Sequence, residues 1–144
     1  SLLIDASKIM DDLFWKQAFF EDKDAFLSSI SDEKVRHFAA INYGPWDRLN
    51  GDTPFLSGYE DKALGAEFYP HDMEKEEFAT ADFGDKQGLY SMVKRDEAGN
   101  LYSVPYSEAF KSELMKASDL LKKASELAED ESFKQYLQLR SYRL

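Results

Sequence analysis

The chain opens with a helical pattern. Ile9, Met10, Leu13, Phe14, Gln17 and Ala18 step as i, i+1, i+4, i+5, i+8 and i+9, and five of the six are apolar. That spacing draws one face of a helix, with Asp5 or Ser7 as the expected N-cap. A second, short helix is expected from Asp24 to Ser29. A third should begin near Ser31, where Asp32 and Glu33 suit the positive end of a helix dipole. It carries Val35, Phe38, Ala39 and Ile41 and stops before Gly44-Pro45.

The pattern then changes. Residues 43 to 72 hold three of the four prolines and four of the seven glycines, interleaved with Tyr43, Trp46, Phe55, Tyr59, Phe68 and Tyr69. Such punctuation forbids a long helix or strand, and such aromatic density argues against a disordered linker. The segment reads as an ordered loop pinned by aromatic side chains, and long ordered loops are often functional.

Periodicity returns after the loop. A short helix is expected from Met73 to Thr80, capped by Asp72. The runs Leu89–Arg95 and Leu101–Val104 flank the turn-rich Asp96-Glu97-Ala98-Gly99-Asn100 and predict a β-hairpin, ended by Pro105. Ser107 is the expected cap of a helix of about five turns bearing Phe110, Leu114, Ala117, Leu121, Ala124 and Ala128. Ser132 is the expected cap of a last helix bearing Phe133, Tyr136, Leu137 and Leu139. The alanines in the longer stripe favour ordinary helix packing over a coiled-coil seam. The fold class is α+β, mostly helical, with one β-hairpin and the long ordered aromatic loop, and residues 1–144 are expected to form a single domain.

Charge and composition narrow the function. The net charge of −10 would be repelled by phosphate backbones and anionic membranes, so neither nucleic acid nor membrane is an expected partner. No apolar run reaches the length of a membrane span, and no leader is visible. The expected compartment is the cytoplasm, with the periplasm as the alternative. A Ser at position 1 and the end at Leu144 suggest a trimmed polypeptide. The absence of cysteine removes disulfides, thiolate nucleophiles and Cys-ligated zinc. The two histidines, His37 and His71, are not paired on one helix face, and His71 beside Asp72 and Glu74 reads as a solvated cluster. No nucleophile elbow and no Gly-rich phosphate loop occurs. No catalytic residue and no metal ligand is therefore assigned.

The candidate chemistry lies in the loop. Asn42, Tyr43, Trp46, Asp47 and Arg48 bring amide, phenol, indole, carboxylate and guanidinium groups together within a few positions, and Tyr69 follows in Phe68-Tyr69-Pro70. Two readings stand. In one, these residues are a substrate-facing wall that holds a peptide backbone or carboxylate. In the other, Asp47 and Arg48 tie the loop down while Trp46 and Phe55 fill a small core, the commoner fate of aromatic side chains.

The runs Ile41-Asn42-Tyr43-Gly44-Pro45-Trp46-Asp47-Arg48-Leu49-Asn50-Gly51-Asp52, Pro54-Phe55 and Gly65-Ala66-Glu67-Phe68-Tyr69-Pro70-His71-Asp72-Met73 resemble bacterial members of the dipeptidyl peptidase III family, the M49 zinc peptidases. Lys75-Glu76-Glu77-Phe78, Leu89-Tyr90-Ser91, Val104-Pro105-Tyr106 and Tyr136-Leu137-Gln138-Leu139-Arg140 extend the likeness. The resemblance implies the N-terminal portion of a larger zinc hydrolase that removes dipeptides from peptide N-termini. The family's His-Glu-x-x-x-His motif has no counterpart here, so zinc is implied for the parent and no cofactor for these residues. The expected role is a non-catalytic domain supporting the substrate cleft, with the C-terminal remainder of the polypeptide and a peptide substrate as partners. The alternative is an independent protein- or peptide-binding module.

Overall fold

A computed structural model describes residues 1–144, which form seven helices and two two-stranded antiparallel sheets. The fold is α+β and mostly helical, as the sequence pattern predicts. Helices α1 (Leu2–Ala18), α2 (Lys23–Ser29) and α3 (Glu33–Asn42) precede strands β1 (Trp46–Asp47) and β2 (Thr53–Pro54). Helix α4 (Lys75–Thr80) leads to the hairpin strands β3 (Ser91–Arg95) and β4 (Leu101–Pro105). Helices α5 (Tyr106–Ala109), α6 (Lys111–Leu127) and α7 (Glu131–Ser141) complete the chain.

Helix positions follow the apolar periodicity, but several caps differ from expectation. α1 begins at Leu2, so Asp5 and Ser7 lie inside it, and Ser7 Oγ donates back to the Ile4 carbonyl at 2.8 Å. Asp72 does not cap α4, whose N-cap is Glu74 without a side-chain hydrogen bond; Asp72 faces Arg95 instead at 3.3 Å. Ser107 lies within the short α5, and the boundary with α6 falls at Phe110. Asp130, not Ser132, caps α7 by accepting the Phe133 N–H at 2.7 Å. A carboxylate competes well for an N-cap because it meets both the free N–H groups and the positive end of the dipole. Ser132 Oγ donates to that same carboxylate at 2.6 Å. This bond, followed by the Phe133 N–H, holds the Asp130 carboxyl below its ordinary pKa.

The chain folds as two compact units, Ser1–Leu13 with Val104–Leu144, and Phe14–Ser103. In the first unit α6 packs on α7. Ala117, Ser125, Leu137 and Ser141 are buried there, and the small residues among them let two helices approach closely. The buried hydroxyls are satisfied within the seam. Ser118 Oγ donates to the Ser141 carbonyl at 2.8 Å, Ser125 Oγ to that of Lys122 at 2.6 Å, and Ser141 Oγ to that of Gln138 at 2.7 Å. Ser125 stands outside the apolar stripe, yet it is buried because its own helix turn satisfies its hydroxyl.

The second unit is built on aromatic rings. Trp15, Phe19, Phe26, Ile30, Ala39 and Trp46 form the buried cluster, with Tyr43, Phe55 and Tyr59 packed against it. Phe19 meets Phe26 and Trp46 edge-to-face, with centroids 5.0 and 5.1 Å apart, the arrangement the ring quadrupoles favour. Both indole N–H groups reach carbonyls, Trp15 that of Glu21 at 2.9 Å and Trp46 that of Glu60 at 2.8 Å. Burial and then the neighbouring Glu21 carboxylate, which accepts the Tyr59 hydroxyl at 3.0 Å, push the Tyr59 phenol up. β3 is tied to the loop by the Val93 N–H, which donates to the Phe68 carbonyl at 2.9 Å.

Candidate functional site

The loop from Tyr43 to Pro70 is shaped by a few fixed points. α3 ends where Tyr43 adopts a left-handed conformation with φ 55°, allowed but uncommon for a residue with a Cβ. Trp46 and Asp47 then pair antiparallel with Pro54 and Thr53. The Asp47 carbonyl accepts the N–H groups of Asn50 and Asp52 at 3.0 and 2.9 Å, and its carboxylate accepts the Leu49 N–H at 3.1 Å. Farther on, Glu67 donates its N–H to the Gln17 carbonyl at 3.1 Å and so holds the loop against the end of α1. Gly65 sits at φ +80° under the Tyr69 ring, where a Cβ would collide with ring carbons. Ala66 follows at φ 46°, an uncommon value for a residue with a side chain.

The six residues singled out in the sequence are placed differently. Asn42 is buried and engaged at both ends of its amide: its Nδ2 donates to the Phe38 carbonyl at 3.0 Å and its Oδ1 accepts the Arg48 backbone N–H at 3.0 Å. Trp46 lies in the aromatic core, and Lys62 Nζ stands 5.8 Å from its ring centroid. Asp47 turns its acceptors to the loop's own backbone. Tyr69 is partly exposed against Gly65. Tyr43 and Arg48 are the pair brought together, with the guanidinium 5.5 Å from the ring centroid, a cation–π distance.

Tyr43 and Arg48 line an open pocket of about 400 Å³ with Phe14, Lys62, Ala66 and Phe68, closed on one side by Gln17 and Ala18 of α1. Three aromatic rings and two cations line it, and no carboxylate does. Lys62 is the member that sequence reasoning does not find. It is a lone lysine between Asp61 and Ala63 in an aromatic loop, and nothing local marks it. Lys62 Nζ also donates to Asp52 Oδ1 at 3.4 Å, and a second, larger hollow of about 590 Å³ shares Lys62, Ala66 and Phe68 with the pocket.

A separate polar node lies at the hairpin. Arg95 Nη1 donates to Glu77 Oε1 at 2.5 Å and to the Gly99 carbonyl at 2.7 Å, and Nη2 donates to Glu77 Oε2 at 3.0 Å. This forked pair ties α4 to β3 and holds the Glu77 carboxyl below its ordinary value, while raising Arg95. His71 Nε2 faces Glu67 Oε1 at 3.2 Å. No three His, Asp or Glu residues gather where a metal ion could be held. No helix is long and apolar enough to cross a membrane.

No family model matches the chain. In sequence it is 30% identical to Nudix hydrolase 3 of Arabidopsis thaliana, over 94% of this chain and 26% of that protein. In structure it matches dipeptidyl peptidase III of Caldithrix abyssi with a TM-score of 0.85 and 38% identity, over 98% of this chain and 29% of the other. Dipeptidyl-peptidase III of Corallococcus sp. strain EGB matches with a TM-score of 0.81 and 28% identity, over 98% and 28%. The chain thus spans 26 to 29% of the length of these proteins. The plant protein is named for a different hydrolase, and its match also spans nearly the whole chain; these two solved structures that the chain resembles are both peptidases. Over nearly its whole length the chain is similar in fold to part of these two dipeptidyl peptidase III chains.

Proposed function

We propose that this chain is a non-catalytic, lobe-building part of a larger dipeptidyl-peptidase-III-like zinc hydrolase, with the pocket beside Tyr43 and Arg48 facing the substrate cleft. The observation that carries this reading is the coverage: nearly the whole chain superposes on less than a third of each peptidase. Zinc and the general base would come from the remainder of the polypeptide. Asn42, Trp46 and Asp47 would then act behind the wall, holding Tyr43 and Arg48 in place, and Tyr69 would border it. Large apolar side chains left at the surface support the same reading. Phe133, Tyr136 and Leu139 on α7 are 43, 58 and 54% exposed, and Phe133 and Tyr136 stack with centroids 6.3 Å apart. Such a face suits contact with more protein.

The test is reconstitution with the rest of the polypeptide encoded in the native reading frame, supplied as a second chain. The expected result is a stable complex in which amide exchange slows at Phe133, Tyr136 and Leu139. The complex should release dipeptides from peptide N-termini and lose that activity to a chelator. If the two chains neither associate nor protect this face, the lobe reading fails and the independent binding module takes its place.

A further inference from the structure

The pocket at the end of α1 has a charge that the rest of the chain does not. The protein carries a net charge of −10, yet the pocket presents Arg48 and Lys62 and no acid. The two cations are not equivalent. Lys62 shares its charge with Asp52 at 3.4 Å and leans on the Trp46 ring. Arg48 donates its backbone N–H to Asn42 and lays its guanidinium over Tyr43, and no carboxylate pairs with it. A guanidinium stacked on a ring keeps its in-plane N–H groups free, and that edge matches a carboxylate in a forked pair.

We infer that this pocket binds a carboxylate borne beside an apolar side chain, with Arg48 as the anion-binding group and Phe14, Tyr43 and Phe68 as the apolar surface. A monoanion balances the one unpaired cation. A phosphate dianion would bring a second negative charge towards Asp52, and the acidic chain as a whole opposes it. The volume of about 400 Å³ lies near the small end for ligand pockets and suits one side chain with its carboxylate. The left-handed turn at Gly65-Ala66, pinned by the Glu67-to-Gln17 hydrogen bond, fixes the Ala66 wall in advance, which lowers the ordering cost of binding. The inference goes beyond the lobe reading and does not depend on it.

The 144-residue chain is titrated with N-acetyl-phenylalanine and, separately, with N-acetyl-phenylalanine amide, followed by amide chemical shifts. The expected result is saturable shifts at Gln17, Arg48 and Ala66 with the acid. Binding of the amide should be weaker by about tenfold or more, as should binding of the acid to R48Q. R48Q leaves the backbone bond to Asn42 in place, and an unaltered melting temperature shows that the pocket is intact. A tetrapeptide ending in phenylalanine separates the two sources of the ligand. Equal binding assigns the site to peptide C-termini, and binding of the short acid alone assigns it to free amino-acid carboxylates. Equal affinity for acid and amide, unchanged binding to R48Q, or no saturable shift overturns the inference. That failure is distinct from failure of the lobe reading, which is judged by association with the rest of the polypeptide.

Discussion

The aromatic unit of residues 14–103 and the helical unit around α6 and α7 reach order by opposite routes. In the first, regular structure is sparse between Tyr43 and Pro70, and order comes from rings packed edge-to-face and from side chains that cap the backbone. In the second, two helices supply the order through their own hydrogen bonds, and a seam of small residues joins them. The aromatic unit gathers its largest rings into one buried cluster. The helical unit leaves Phe133, Tyr136 and Leu139 outside. A large apolar residue is therefore a poor guide to the core. On the loop Trp46 is the structure itself while Leu49 and Leu64 are 98 and 94% exposed, and on α7 Leu137 is core while Phe133 is spare for another contact.

The largest effect is expected from Trp46→Ala. The ring is 9% exposed, and its loss opens the aromatic cluster and strands the Glu60 carbonyl. The expected loss is about 3–5 kcal/mol in urea denaturation, with amide protection falling within residues 14–103. Leu137→Ala is the matching change in the helical unit. Leu137 is 3% exposed, and its truncation should cost about 2–5 kcal/mol, with faster exchange in α6 and α7. If the two variants loosen the same set of amides, the units are not separate in their energetics and the two routes to order are one.

Smaller effects probe each unit in finer detail. Asp32 caps α3 by accepting the Lys34 and Val35 N–H groups at 2.8 and 3.1 Å, and Asp32→Ala should cost about 1 kcal/mol by the same denaturation assay. Glu77 has its folded pKa lowered by Arg95, so its contribution is present above the ordinary value of 4.5 and is lost as pH falls through the folded value. Acidification should therefore release α4 from the hairpin, seen as faster exchange at Arg95, and Glu77→Gln should remove that pH dependence. The smallest change is Phe133→Ala, expected to alter the stability of the isolated chain by no more than about 0.5 kcal/mol. A loss comparable to Leu137→Ala would show that the exposed ring is part of the core after all.

Element types were legible in the sequence because apolar period and turn chemistry are local. The steps of three and four along residues 9–18 marked α1, and Asp96 to Asn100 between two strand-like runs marked the hairpin. Caps were less legible. Ser107 and Asp72 satisfy the cap pattern, yet the chain uses neither, because Arg95 claims Asp72 and α5 starts a residue before Ser107. The pocket was legible only in part. Tyr43 and Arg48 stood out as neighbours in sequence, but Lys62, Phe14 and Ala66 arrive through the fold of the loop onto α1. Long-range encounters of that kind leave no periodic trace.

The two buried indoles have a practical consequence for any spectroscopist. Trp15 and Trp46 are the only tryptophans in the chain, and both sit in one ring cluster with their N–H groups bonded to carbonyls. Intrinsic tryptophan emission therefore reports on residues 14–103 and has no reporter among residues 104–144. Far-ultraviolet circular dichroism has the opposite bias, since α6 and α7 supply a large share of the helical residues. A melt followed by fluorescence alone would assign one midpoint to the whole chain while its two longest C-terminal helices went unobserved. Recording both signals on the same sample turns this blind spot into a measurement: coincident curves mean a single cooperative transition, and separated curves resolve the ring-built and helix-built parts without any label.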